Sequence, residues 1–269
     1  FGWAALAVIL GCCVFRWGWR LVGVMGVLAG FLILSFYSVV AGWTLGYIVK
    51  ALTGNLAFAS VAVAEKQFDM FIASPVWSVG CHMVFMILCI LIVSRGIRSG
   101  IERWAKILMP VLFVLLIVLI VRSLTLEGAI DGVQFLVSPD FTKLGAEGVL
   151  VALGHAFFTL SLGMGAIITY GSYLEKEQNI FMSALAVVGL DTLIALMAGF
   201  AIFPAVFALG FEAGAGPGLI FQVVPTVFNR IPLGLLWATI FFILLAVAAL
   251  TSGISLLEVV TAYFVDERE

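Results

Sequence analysis

The feature that most constrains this chain is a succession of apolar runs, each long enough to cross a bilayer. An α-helix rises 1.5 Å per residue, so roughly 20 apolar residues span a hydrocarbon core of about 30 Å. Six such runs lie at about 21–49, 76–94, 107–124, 149–171, 180–209 and 232–265. Lipid offers no water to backbone N–H and C=O groups, which leaves only helices and closed barrels. The runs are apolar on all faces and lack the period-two alternation of a barrel strand. The fold class expected is all-α, a polytopic transmembrane helical protein. Composition agrees: 64% of the 269 residues are hydrophobic and 10% are charged, against about 25% charged in a soluble domain.

A leader over residues 1–20, apolar to about residue 15 and interrupted by Arg16 and Arg20, precedes a single transmembrane domain over 21–269. The chain opens on Phe1 and closes on Asp266-Glu267-Arg268-Glu269 directly after a span, so the expectation is a fragment, incomplete at both ends. Loops are expected around Glu65-Lys66-Gln67, from Arg95 to Lys106, around Ser138-Pro139-Asp140-Phe141, at a Leu174–Asn179 turn, and in a Gly/Pro-rich stretch from Phe211 to Pro232. Arg95, Arg98, Arg103 and Lys106 crowd one short loop, which the positive-inside rule places in the cytoplasm. Alternation then puts Arg16, Arg20, Lys176 and Arg268 on that side and Lys50, Lys66, Arg122, Lys143 and Arg230 outside. The locale expected is the cell inner (plasma) membrane, with the lipid bilayer as partner.

Several function classes fall away. A net charge of −2 without a basic stripe excludes a nucleic-acid partner. Cys12, Cys13, Cys81 and Cys89 lie in apolar runs without metal-ligand spacing and read as inert thiols. His82 and His155 read as polar packing residues. No nucleophile–base constellation is present, so the chain does not read as an enzyme.

The most informative run is His155–Tyr170, which places Gly163 and Gly165 near its middle beside Thr159 and Ser161. It fits two arrangements. In one, the helix breaks around Ser161, Leu162 and Gly163, and freed carbonyls and amides at membrane depth serve a small ion or zwitterion. In the other, an intact helix packs through its small residues. In the last run, Ala248, Thr251 and Ser252 share a helix face. They offer hard oxygen ligands suited to a monovalent cation, or simply hydroxyls bonded back to the helix. Asp191 is a carboxylate inside an apolar span, costly and functional by default. Glu258, nearer a helix end, suits a structural or gating hydrogen bond. Tyr37, in Ser35-Phe36-Tyr37-Ser38, fits either a packed core or a site.

The segment Ala156–Tyr170, followed by Ser172-Tyr173, resembles the sixth helix of the neurotransmitter:sodium symporters, especially their bacterial amino-acid members. Trp43-Thr44-Leu45-Gly46, Gly100-Ile101-Glu102-Arg103 with Lys106 and Pro110, Ser138–Phe141 and Leu250-Thr251-Ser252 match in the same order. The resemblance covers nearly everything after Arg20 and makes the six runs helices three to eight of an inverted-repeat, broken-helix transporter. It implies that Tyr37 contacts a substrate carboxylate, that freed carbonyls of Phe158, Thr159 and Ser161 receive the substrate ammonium, and that Phe158 is also a lid. It implies pocket positions at Ile33, Met164, Ser252 and Leu256. Thr159 and Asp191 become ligands of a first sodium, Ala248, Thr251 and Ser252 ligands of a second, and Asp266 and Tyr173 parts of a cytoplasmic gate.

Two departures bear on specificity. Asp191 stands where many members carry asparagine, and Ala195 stands one turn on, where chloride-independent members carry an acid and chloride-dependent ones a serine. A fixed carboxylate at Asp191 replaces the charge of chloride, so chloride-independent uptake is expected. Met164 replaces an aromatic residue of some bacterial members and favours a large aliphatic or aromatic substrate. The function expected is sodium-coupled symport of a neutral amino acid with two coupling ions and no cofactor. A sensor relative or a truncated, non-transporting product is the alternative.

Overall fold

The computed structural model describes residues 2–174, 177–211 and 216–266, with side chains from residue 20 onward except at 97–99, 143 and 266. The first element, α1, runs from Gly2 to Leu52 without interruption. No break at Arg16 or Arg20 separates the leader from the first span. Both arginines have high helix propensity, and neither position carries a Gly or Pro stop.

The expected loop around Glu65-Lys66-Gln67 is instead a helix, α2 (Val61–Ala73). Ser60 caps it, accepting the Val63 amide at 3.4 Å, while Ala64, Phe68 and Phe71 face inward and the charges face out. α3 (Pro75–Val93) starts on a proline, which the first turn tolerates because its N–H has no partner there. It meets α1 at backbone distance. A Cβ on Gly42 would sit 2.8 Å from the His82 backbone nitrogen, and one on Gly46 would sit 3.1 Å from the Cys81 sulfur. Cys81 and Cys89 on α3 are buried free thiols; the side chains of Cys12 and Cys13 lie outside the described residues.

A π-helical turn, Ile97–Glu102, feeds directly into α4 (Arg103–Leu124), so the basic loop is shorter than expected and Lys106 lies on the helix. Its ammonium pairs with Glu102 at 2.6 Å, one turn back. Then come α5 (Ala129–Val137), a 3-10 turn at Phe141–Lys143, α6 (Ala146–Thr159), α7 (Ala166–Ser172) and α8 (Ile180–Ala208). Gly132 lets α5 lie against the backbone of Phe203 and Pro204 on α8.

The Gly/Pro-rich stretch after Phe211 is also largely helical. It comprises the single turn α9 (Gly216–Gly218), a π-helical turn (Leu219–Val223) and α10 (Val224–Asn229). Phe221, Val224, Val227 and Phe228 turn inward at helical spacing. Phe221 stacks on Phe68, with centroids 5.3 Å apart, and meets Tyr47 edge-on at 5.0 Å. Asn229 ties the segment down by donating to the Leu56 and Phe58 carbonyls at 2.6 and 3.3 Å. The chain ends in α11 (Gly234–Asp266), which packs along α1, α3 and α4.

Among the described residues, five helices are long and apolar enough to cross a membrane, within α1, α3, α4, α8 and α11. The remaining expected span is divided between α6 and α7. The chain is a multi-pass helical membrane protein.

Candidate functional site

α6 ends at Thr159, and six residues pass before α7 begins at Ala166. Ser161, Gly163 and Gly165 adopt positive φ angles of 56°, 79° and 81°. For Ser161, a residue with a side chain, that conformation costs roughly 1–2 kcal/mol, a strain located at the break. The intact-helix alternative does not hold. Ser161 and Leu162 donate to the carbonyls of Phe158 and Phe157 at 3.1 and 2.8 Å, closing the end of α6. Of the three carbonyls expected to be free, that of Phe158 is engaged by a backbone amide, whereas those of Thr159 and Ser161 accept none among the described residues.

Gly165 is required by neighbours as well as by φ, since a Cβ there would stand 2.7 Å from the Val259 side chain on α11. On α1, a Cβ at Gly26 would lie 3.1 Å from Gly165 Cα, and one at Gly30 would lie 3.1 Å from the Met164 oxygen. These glycines, one turn apart, bring the first span against the break. They were not among the expected site residues, although their Gly-x-x-x-Gly spacing was readable.

Asp191 projects from α8 towards the same break. The Thr159 hydroxyl donates to its Oδ1 at 2.8 Å across 32 residues of sequence. The two residues expected to hold the first cation are thus in direct contact.

Ile33, Tyr37, Met164 and Leu256 meet in one apolar cluster with Leu34, Ala166 and Val259. Tyr37 turns its hydroxyl to the Ala249 carbonyl on α11 at 3.3 Å, with Ser252 as its polar neighbour. Phe85 supports the Tyr37 ring edge-on at 6.5 Å. Phe158 is 55% exposed and stands apart from this cluster, so the structure does not place it as a lid.

On α11, Thr251 donates to the Ala248 carbonyl at 2.8 Å. This is the back-bonded arrangement, and it also holds two expected ligands of the second cation side by side. Ser252 is exposed. Gly253 lets α3 approach closely, because a Cβ there would lie 2.9 Å from Phe85 and 3.0 Å from the Cys89 sulfur. Tyr170 donates to Ser255 at 3.3 Å, and Tyr173 donates to the buried Glu258 carboxylate at 2.7 Å. These bonds latch α7 to α11 and bring Glu258 to Tyr173, one of the two residues expected at the gate. The side chain of Asp266 lies outside the described residues.

No three or more His, Cys, Asp or Glu side chains gather among the described residues. The oxygens assembled here are hydroxyls, peptide carbonyls and one carboxylate, a set that suits a small hard monovalent cation.

An apolar span interrupted in mid-course, with the Thr159–Asp191 pair at the break, defines the class of broken-helix secondary transporters. The chain belongs to the Sodium:neurotransmitter symporter family, whose match covers residues 72–269. It is 48% identical over 247 residues to an uncharacterized sodium-dependent transporter, YhdH, of Bacillus subtilis (strain 168), covering 92% of this chain and 55% of that protein. It is 25% identical over 298 residues to the sodium-dependent dopamine transporter of Bos taurus, covering 92% of this chain and 43% of that one. The crystal structure of MhsT in complex with L-phenylalanine superposes with a TM-score of 0.82 at 53% identity, covering 91% of this chain and 56% of that one. The chain spans about half the length of the curated relatives it matches. The family consists of transporters, not enzymes.

Proposed function

We propose that the protein containing this chain carries a neutral, large hydrophobic or aromatic amino acid across the inner (plasma) membrane, coupled to sodium. The observation that carries this reading is the Thr159–Asp191 contact at the end of the broken helix. A hydroxyl and a carboxylate held together beside the Thr159 and Ser161 carbonyls form half of a cation shell that also faces a zwitterion's charges. Thr159 and Asp191 hold the first sodium. Ala248, Thr251 and Ser252 hold the second, which draws the Thr251 hydroxyl from its present acceptor.

Tyr37 binds the substrate carboxylate. Its 3.3 Å bond to Ala249 lies beyond the usual range for O–H···O and is readily exchanged. Thr159 and Ser161 present their carbonyls to the substrate ammonium, with Phe158 beside them as the lid once substrate is bound. Ile33, Met164, Ser252 and Leu256 face the substrate side chain. The L-phenylalanine complex of MhsT supports this size class. Sodium favours the outward-facing arrangement, and substrate adds the ligands that favour closure. The Tyr173–Glu258 bond, with Asp266, closes the cytoplasmic side and must open for release. Asp191 supplies the fixed negative charge that makes transport independent of chloride.

Uptake of labelled L-phenylalanine by proteoliposomes containing the intact protein tests the proposal. An inward sodium gradient should drive accumulation, with leucine, tyrosine and tryptophan competing. Equal uptake in potassium would refute sodium coupling. Saturable binding without accumulation would make the protein a sensor, and stronger competition by glycine or lysine would overturn the substrate class.

A further inference from the structure

We propose that the corner between α1 and α2 is a binding site for the phosphate of a membrane phospholipid, organised by Lys50. The site is separate from the broken helix and does not depend on the transport reading.

Lys50 lies in the last turn of α1, and its side chain folds back over two rings. The ammonium is 4.6 Å from the centroid of Phe71 and 5.3 Å from that of Tyr47. Among the described residues no carboxylate lies within ion-pair distance of it. The rings hold the charge in place by cation–π attraction without neutralising it. Arg122 over Trp237 and Arg230 over Phe211 make similar ring contacts.

Lys50 faces an open cavity of about 530 Å³. Thr53, Asn55 and Gln67 form its polar side, and Val49, Val63 and Trp77 its apolar side. The Asn55 amide donates one hydrogen to the Thr53 hydroxyl at 2.9 Å and retains a second. One cation with neutral amide donors around it matches an anion of single charge and several acceptor oxygens. Among the described residues no carboxylate lines the cavity, so nothing there competes with an anion for Lys50.

Position identifies the source of the phosphate. α1 has 51 residues, which at 1.5 Å each far exceeds a hydrocarbon core of about 30 Å. A charge in its final turn, Lys50, is the kind of group that sits at head-group level, where the ammonium stays solvated. Trp77 is the kind of residue that marks that layer, and Val49, Val63 and Trp77 remain 43–45% exposed. A phosphate at Lys50 would lay its glycerol and first methylenes along these three side chains, a surface that a free anion leaves unused.

The test uses the intact protein, delipidated in a neutral detergent, and reads its thermal unfolding midpoint. Phosphatidylglycerol should raise the midpoint by about 3 °C or more near saturation. A diglucosyl lipid with the same acyl chains, lacking phosphate, should give less than a third of that rise. Lys50→Ala should remove most of the phosphatidylglycerol increment and Lys50→Arg should keep it. Gln67→Ala, which leaves the cation in place, should reduce it and serves if Lys50→Ala does not fold. An equal rise with the glucosyl lipid, or an unchanged increment in Lys50→Ala and Gln67→Ala, overturns the site. The full rise with inorganic phosphate at millimolar concentration overturns the lipid as its source.

Discussion

The two sides of this molecule are built differently. Around α11, side chains from α1, α2 and the α9–α10 segment interlock in an aromatic core in which Tyr47 and Phe242 are fully buried and Phe221 is 1% exposed. Across the break, α6 buries none of its residues, and α8 buries only Pro204, Ala205 and Val206 near its end. The expected ligands divide the same way. Ala248 and Thr251 belong to the packed side, whereas Thr159 and Asp191 meet on the open side through one side-chain bond. The difference teaches that the two ligand pairs sit in unlike surroundings within this chain: one on a helix locked into the aromatic core, the other between the exposed end of α6 and α8, which packs on α4 and α5.

The sharpest way to break this comparison is to make the same deletion on both sides. Phe242→Ala should cost about 3–5 kcal/mol in unfolding measurements. Leu150→Ala on α6, 68% exposed, should stay within about 0.5 kcal/mol. Comparable losses would remove the distinction.

The break offers the next test through two glycines of like backbone conformation. Gly163 and Gly165 both have positive φ, but a Cβ at Gly163 meets nothing within 4 Å while one at Gly165 meets Val259. Gly165→Ala should lower sodium-driven uptake by about tenfold or more, since strain of roughly 1–2 kcal/mol and a clash add together. Gly163→Ala carries the strain alone and should lose less. The reverse order would mean that contact with α11 does not position the break.

A smaller effect is expected at Tyr37. Its Phe variant keeps the ring packed on Phe85 and loses only the hydroxyl. A single hydrogen bond is worth about 0.5–1.5 kcal/mol, so half-saturation for substrate should rise about two- to tenfold with little change in the unfolding midpoint. Loss of fold instead of affinity would make Tyr37 a core residue. The smallest expected effect is none: replacing chloride by gluconate should leave uptake unchanged, and a requirement for chloride would show that Asp191 does not supply the fixed charge.

The long spans were legible because twenty-residue apolar runs have few alternatives in lipid. The break was legible because Gly163 and Gly165 interrupt a run that also carries Thr159 and Ser161. Residue patterning alone left an unbroken helix equally possible, and the positive φ angles decide the matter. α2 and α10 were missed for a physical reason. Their inward faces, Ala64-Phe68-Phe71 and Val224-Val227-Phe228, are only two turns long and are framed by charges, glycines and prolines. Short amphipathic helices gain stability from the surface they pack on, which local sequence does not display. The same holds for Gly26 and Gly30, whose spacing was visible but whose partner, the 164–165 backbone, lies far along the chain. The Thr159–Asp191 contact had a signal in the cost of an intramembrane carboxylate, but its partner became definite only through the family resemblance.

The central claim is that Asp191 joins the broken helix to sodium. It is tested most directly by equilibrium binding of labelled L-phenylalanine to the intact purified protein over a sodium titration, comparing wild type, Asp191→Asn and Asp191→Ala. Loss of a charged ligand of about 1.5–3 kcal/mol should raise the half-saturating sodium concentration of Asp191→Ala by about tenfold or more. Asp191→Asn, which keeps an oxygen, should fall between. Sodium dependence that is unchanged in Asp191→Ala, or wild-type binding that is as tight in potassium, would contradict the account.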